Sequence, residues 1–75
     1  GDKMALDTKL IGNNIRKIRK NAKISQEAFA EKIEASVRTI SNIENGTVLP
    51  SINTLYNIAQ SFGCSVDSLI TEPDD

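Results

Sequence analysis

The stretch Ser25-Gln26-Glu27-Ala28-Phe29-Ala30-Glu31-Lys32-Ile33-Glu34-Ala35-Ser36-Val37-Arg38-Thr39-Ile40-Ser41-Asn42-Ile43-Glu44-Asn45-Gly46 decides the fold. Ser25 stands where a helix N-cap would, its hydroxyl able to accept from backbone N–H groups one turn on, and Phe29, Ala30 and Ile33 form an apolar stripe behind it. A helix is predicted over Gln26 to Ile33. After Glu34 and Ala35, Ser36 offers a second cap, Ile40 and Ile43 repeat the apolar spacing, and Asn45-Gly46 supplies a stop, so the next helix runs Val37 to Glu44. A turn as short as Glu34-Ala35-Ser36 makes the two axes cross steeply and projects the second helix outward.

Before this pair, Ile11, Ile15 and Ile18 lie on one helical stripe and predict a first helix from Thr8 to about Ala22. After it, Pro50 disfavours helix at Leu49, Ser51 caps a fourth helix marked by Ile52, Leu55, Ala59 and Phe62, and Gly63 suits a left-handed stop. Ser65 caps a short fifth helix carrying Val66, Leu69 and Ile70 before Pro73. Nothing alternates with a strand's period of two, so the expected architecture is all-α: one domain over residues 8–71, preceded by a flexible segment 1–7 and followed by a polar tail 72–75. Met4 reads as the true start, with Gly1-Asp2-Lys3 a cloning remnant.

Composition narrows the chemistry. Without histidine, and with Cys64 as the single cysteine, neither Cys/His zinc ligation nor His-based acid–base catalysis is available, and no disulfide can form within the chain. No P-loop glycine pattern or clustered carboxylate pair is present, so no metal, no cofactor and no enzyme activity are expected. No apolar run has a membrane span's length and no secretory signal is visible, which predicts a cytoplasmic chain. Cys64 reads as a small apolar filler beside Phe62, and Tyr56 as either core rim or a dimer contact. The net charge of −1 hides an asymmetry: residues 8–45 hold eight cations against four carboxylates, a net of +4, whereas residues 46–75 hold four carboxylates and no cation. An imbalance of this kind fits either an anionic partner on one face or a merely solvated helix surface.

At about 100° per residue, Ile40 and Ile43 define the buried side of the third helix and Arg38 and Asn42 the centre of the opposite side, flanked by Ser41. Arginine donates two bonds to guanine O6 and N7, asparagine pairs with adenine N6 and N7, and serine meets several base edges, as a major-groove reader requires. Any exposed helix carries such residues, so alone they fit a solvated surface as well. The wider pattern is more specific: Ile11-Gly12, Ile15-Arg16 and Ile18-Arg19; Ser25-Gln26-Glu27, Phe29-Ala30 and Ile33; Ser36, Thr39-Ile40-Ser41 and Ile43-Glu44-Asn45-Gly46; Pro50-Ser51, Leu55, Ile58-Ala59 and Phe62-Gly63; Ser65-Val66-Asp67 and Leu69-Ile70. In this ordered set the chain resembles the lambda-repressor-like (XRE) helix-turn-helix family of bacterial and phage repressors.

The resemblance implies a compact five-helix DNA-binding domain whose second and third helices form the helix-turn-helix. It implies base contacts by Gln26, Val37, Arg38, Ser41 and Asn42, and phosphate contacts by Ser25, Ser36, Thr39, Asn45 and Thr47, alongside capping by the two serines. Val37 lies between the buried and outer arcs, where it either meets a thymine methyl or packs against the turn. The resemblance also implies a structural ion pair of Arg19 with Glu44. The chain departs from the family where glycine is usual, at Lys23 and Glu34, and where a cation is common, in Thr47-Val48-Leu49. Either those two residues take left-handed backbone angles or the turns shift. The expected function is sequence-specific double-stranded DNA binding as a transcriptional regulator, a repressor, acting as a homodimer with Val48-Leu49 or the exposed side of the fifth helix as contact. The rival is an antitoxin-like or anti-repressor module that uses the same fold to bind protein.

Overall fold

The structure, a computed structural model, describes residues 6–72. Five helices follow in order: α1 Thr8–Asn21, α2 Gln26–Lys32, α3 Val37–Glu44, α4 Ile52–Phe62 and α5 Val66–Ile70. The first two end one residue earlier than predicted, because Ala22 and Ile33 are the closing caps. The expectations for Met4 and the extreme ends of the chain lie outside the described residues; Asp7, the last residue of the expected leading segment, is the N-cap of α1. Its carboxylate accepts from the backbone N–H groups of Lys9 and Leu10 and so caps α1. Ser25, Ser36, Ser51 and Ser65 each accept from the backbone N–H three residues on, as caps of α2 to α5.

Each of the first four helices closes with a backbone N–H reaching the carbonyl five residues back: Ile24 to Arg19, Ala35 to Ala30, Thr47 to Asn42 and Cys64 to Ala59. Such a closure needs a left-handed residue. Gly46 and Gly63 supply it at φ +77° and +69°, while Lys23 (φ +61°) and Glu34 (φ +59°) adopt the same angle with side chains attached. The turns have therefore kept their geometry at the expense of backbone strain. Lys23→Gly and Glu34→Gly are each expected to raise stability by about 0.5–1 kcal/mol, the strain relieved exceeding the extra freedom of glycine in the unfolded chain. Urea unfolding of the two variants checks this, and a fall in the midpoint would contradict it.

The core gathers Ile11 and Ile15 of α1, Phe29, Ala30 and Ile33, Ile40 and Ile43 of α3, Leu55, Ile58 and Ala59 of α4, and Leu69 of α5. Phe62 stacks on Phe29 with ring centroids 4.9 Å apart, and Cys64 packs at the core's edge. One residue of the predicted α4 stripe departs: Ile52, the first residue of its helix, is 69 % exposed. Asn14 sits on the apolar stripe of α1 yet is buried, because its amide donates to the carbonyls of Leu69 (3.0 Å) and Thr71 (2.9 Å) and ties α1 to the end of α5. Gly12 lets α1 approach α3, for a Cβ there would overlap the carbonyl oxygen of Ile43.

Candidate nucleic-acid interface

With Ile40 and Ile43 in the core, α3 turns its other side outward. Val37, Arg38 and Thr39 are exposed and Ser41 and Asn42 half-exposed. Among the described residues the Arg38 side chain makes no hydrogen bond or ion pair, so its guanidinium is free to meet a ligand. Val37 is 40 % exposed, which leaves its methyl groups accessible beside Arg38. The outer row of the helical wheel is thus a single face.

The neighbouring residues divide between caps and turns. Ser25 Oγ accepts from the Ala28 amide (3.0 Å), Ser36 Oγ from the Thr39 amide (3.1 Å), and the Ser36 and Thr39 hydroxyls share a hydrogen bond of 2.9 Å. The Thr47 hydroxyl donates to the Asn42 carbonyl (3.1 Å) and Asn45 closes α3, both exposed. The loop that follows carries no cation, but α1 brings one to its start. The stem of Lys9 lies so close to Gly46 that a Cβ on the glycine would meet its Cγ at 2.9 Å.

A hydrogen-bonded knot fixes α3 against α1 and α2. Arg19 Nε donates to Glu44 Oε2 at 2.7 Å, Arg19 Nη2 to Glu44 Oε1 at 3.1 Å, and Arg19 Nη1 to the Ile24 carbonyl at 3.0 Å. The Glu44 side chain is only 2 % exposed, yet both its oxygens are hydrogen-bonded, by the planar fork of the arginine and by Gln26 Nε2 at 3.1 Å. The hydrogen bond to Glu44, ahead of an opposing effect of burial, raises the Arg19 guanidinium above its already high pKa. Gln26 is therefore half-buried and engaged at one end, which no local sequence signal announces: its partner is eighteen positions away. Among the described residues no three His, Cys, Asp or Glu side chains gather as a metal site, and no helix is long and apolar enough to cross a membrane.

The fold recurs in known proteins. The helix-turn-helix family HTH_3 matches residues 15–69. An uncharacterized HTH-type transcriptional regulator of Sinorhizobium fredii is 33 % identical over 67 residues, covering 89 % of this chain and 87 % of that protein. The immunity repressor protein of Bacillus phage phi105 is 34 % identical over 62 residues, 83 % of this chain but 43 % of the repressor. Among solved structures, the P22 c2 repressor, in complex with a synthetic operator, superposes with a TM-score of 0.80 at 31 % identity over 85 % of this chain and 97 % of that one.

Proposed function

The chain belongs to the helix-turn-helix family HTH_3, and from that premise we propose that it sets α3 in the major groove of an operator, with Arg38 and Asn42 against base edges and Val37, Ser41 and Gln26 around them. It is a sequence-specific DNA-binding transcription regulator of the repressor kind. The observation that carries the placement is the exposed Arg38, unpaired among the described residues, on a helix locked by Glu44 to both α1 and α2. A rigid mount matters because base discrimination depends on donors held in register with the groove.

The hydroxyls and amides of Ser25, Ser36, Thr39, Asn45 and Thr47 border that face and are all exposed, which suits contacts to the phosphates on either side. Lys9, leaning on the turn at Gly46, adds a cation there. Since each phosphate neutralised contributes about −0.9 to the slope of log K against log salt, a loop without a cation predicts a shallow slope. Lys9→Ala should flatten it further by about one unit, with sequence preference unchanged. Titration of binding against salt measures both, and a slope untouched by Lys9→Ala would remove Lys9 from the interface.

One recognition helix covers only a few base pairs, so useful specificity needs two copies on half-sites about one helical turn apart. A homodimer on DNA is the assembly we assign. Its contact surface is the segment from Gly46 to Val66, which holds no charged residue and exposes Val48, Leu49, Ile52 and Tyr56. Charge-poor apolar patches are what subunit interfaces favour, and two identical neutral faces meet without repulsion. The protein works in the cytoplasm, associated with the nucleoid while bound. Selection of sequences from a random duplex pool at stated salt tests the whole reading. A palindromic enriched site is expected, and Arg38→Ala should weaken binding by about 1–3 kcal/mol and relax the preference at one position of each half-site. An enriched pool no better than scrambled competitor would sink the reading.

A further inference from the structure

Resting on the major-groove placement above, we propose that Lys23 binds a phosphate of the operator, and that its strained backbone is retained because glycine, which would relieve it, would remove the cation. Left-handed closure is easiest for glycine, and Gly46 and Gly63 supply it after α3 and α4. After α1 a lysine holds φ +61° instead. A side chain in that region persists only where the surrounding structure imposes it, and such outliers gather at binding sites. Strain by itself assigns no role, since Glu34 is strained alike. What singles out Lys23 is its electrostatic setting. Residues 8–26 hold six cations, Lys9, Arg16, Lys17, Arg19, Lys20 and Lys23, and no carboxylate. Arg19 is paired with Glu44, whereas the other five are exposed and make no side-chain hydrogen bond or ion pair among the described residues.

The turn that carries this cation is tied to the reading helix. The Lys23 amide donates to the Lys20 carbonyl (3.0 Å) and the Ile24 amide to the Arg19 carbonyl (3.4 Å), while Arg19 Nη1 donates to the Ile24 carbonyl (3.0 Å). The same arginine grips Glu44 of α3 by two hydrogen bonds, so the turn and α3 are held in one frame. Lys23 stands two residues before Ser25, at most about 7.6 Å away between Cα atoms, and three before Gln26. It therefore borders the side on which the proposed interface meets the DNA strand. An ammonium group on a flexible stem suits a phosphate oxygen: it acts as a point charge, needs no bidentate geometry and reads no base.

The test compares urea unfolding and duplex binding against salt for the full chain and for Lys23→Gly, Lys23→Gln, Lys23→Arg and Glu34→Gly. Lys23→Gly should unfold at higher urea than wild type yet bind the preferred duplex about three- to tenfold more weakly near 50 mM salt, its salt slope flattened by about 0.9 for each bound copy. Lys23→Gln keeps the strain, so it should lose the same affinity and slope without gaining stability. Lys23→Arg should keep both affinity and slope. Glu34→Gly relieves the same strain where no cation is lost, and should gain stability with no loss of affinity. Base preferences should be unchanged throughout, because a phosphate contact carries no sequence information. Wild-type affinity and slope in both Lys23→Gly and Lys23→Gln would overturn the inference. A loss confined to Lys23→Gly would overturn it too, since binding would then depend on the stiffness of the turn and not on its charge. Either result would leave the α3 reading standing so long as Arg38→Ala relaxes its own position. A wild-type chain that prefers no duplex would end both.

Discussion

Glu44→Ala is expected to lower stability by about 3–5 kcal/mol, which is the usual result of removing one member of a buried ion pair and stranding the other. Three donors lose their acceptor at once: Nε and Nη2 of Arg19 and Nε2 of Gln26. The margin available is small. At about 0.05–0.15 kcal/mol per residue, a domain of this size has about 4–11 kcal/mol in all, so the loss takes a large share of it, and the melting temperature should fall by roughly 12–40 °C. Circular dichroism during heating would show it as a weak or absent transition at ordinary temperatures. Replacing both partners, as Arg19→Met with Glu44→Leu, should recover a good part of the loss, because apolar groups of similar volume leave no stranded charge. A cost below about 1 kcal/mol for Glu44→Ala would place the pair among weak surface contacts and remove the brace from the account of how α3 is aimed.

Gly12→Ala should also be severe, and its sign runs against helix propensity. In the middle of an isolated helix, alanine is more favourable than glycine by about 0.5–1 kcal/mol. Here α1 crosses α3 at Gly12, and a methyl group there would overlap the Ile43 carbonyl oxygen and sit 3.1 Å from that of Glu44. Backbone cannot rotate aside as a side chain can. The helices must separate, which opens the contacts around Ile11, Ile15, Ile40 and Ile43 and disturbs the Arg19–Glu44 geometry. A loss of about 3 kcal/mol or more is expected, at or beyond the upper range of overpacking costs. Urea unfolding decides it: a variant equal to or more stable than wild type would mean that α1 does not approach α3 this closely. DNA affinity should fall with stability even though Gly12 touches no nucleotide, because the displaced neighbour is the reading helix.

The helices were legible because what makes them is local. Ser25, Ser36, Ser51 and Ser65 each stand one residue before a helix and cap it, and the spacing of Ile40 and Ile43 alone put Arg38 and Asn42 on the outer side of α3. Asp7 carries the same kind of signal, an acidic residue just ahead of the first helix. Two further hints lay in the pattern: a lone glycine inside a helix, which marks a close approach, and an asparagine on an apolar stripe, which marks a buried polar tie. Ile52 misled, since periodicity assigns a face without saying how far the core extends beneath it.

By itself, the sequence determined the five helices, their caps and stops, the helix-turn-helix pairing and the polar row on α3. These follow from backbone geometry and from side chains three or four residues apart, which interact whatever the rest of the chain does. Tertiary structure alone decided that Asn14 would be satisfied by carbonyls more than fifty positions away, that Lys9 would stand beside the Gly46 turn, and that the amide of Gln26 would face Glu44. Those outcomes depend on which surfaces burial brings together: a polar atom withdrawn from water must take whichever partner the packing offers, and that partner has no fixed distance along the chain.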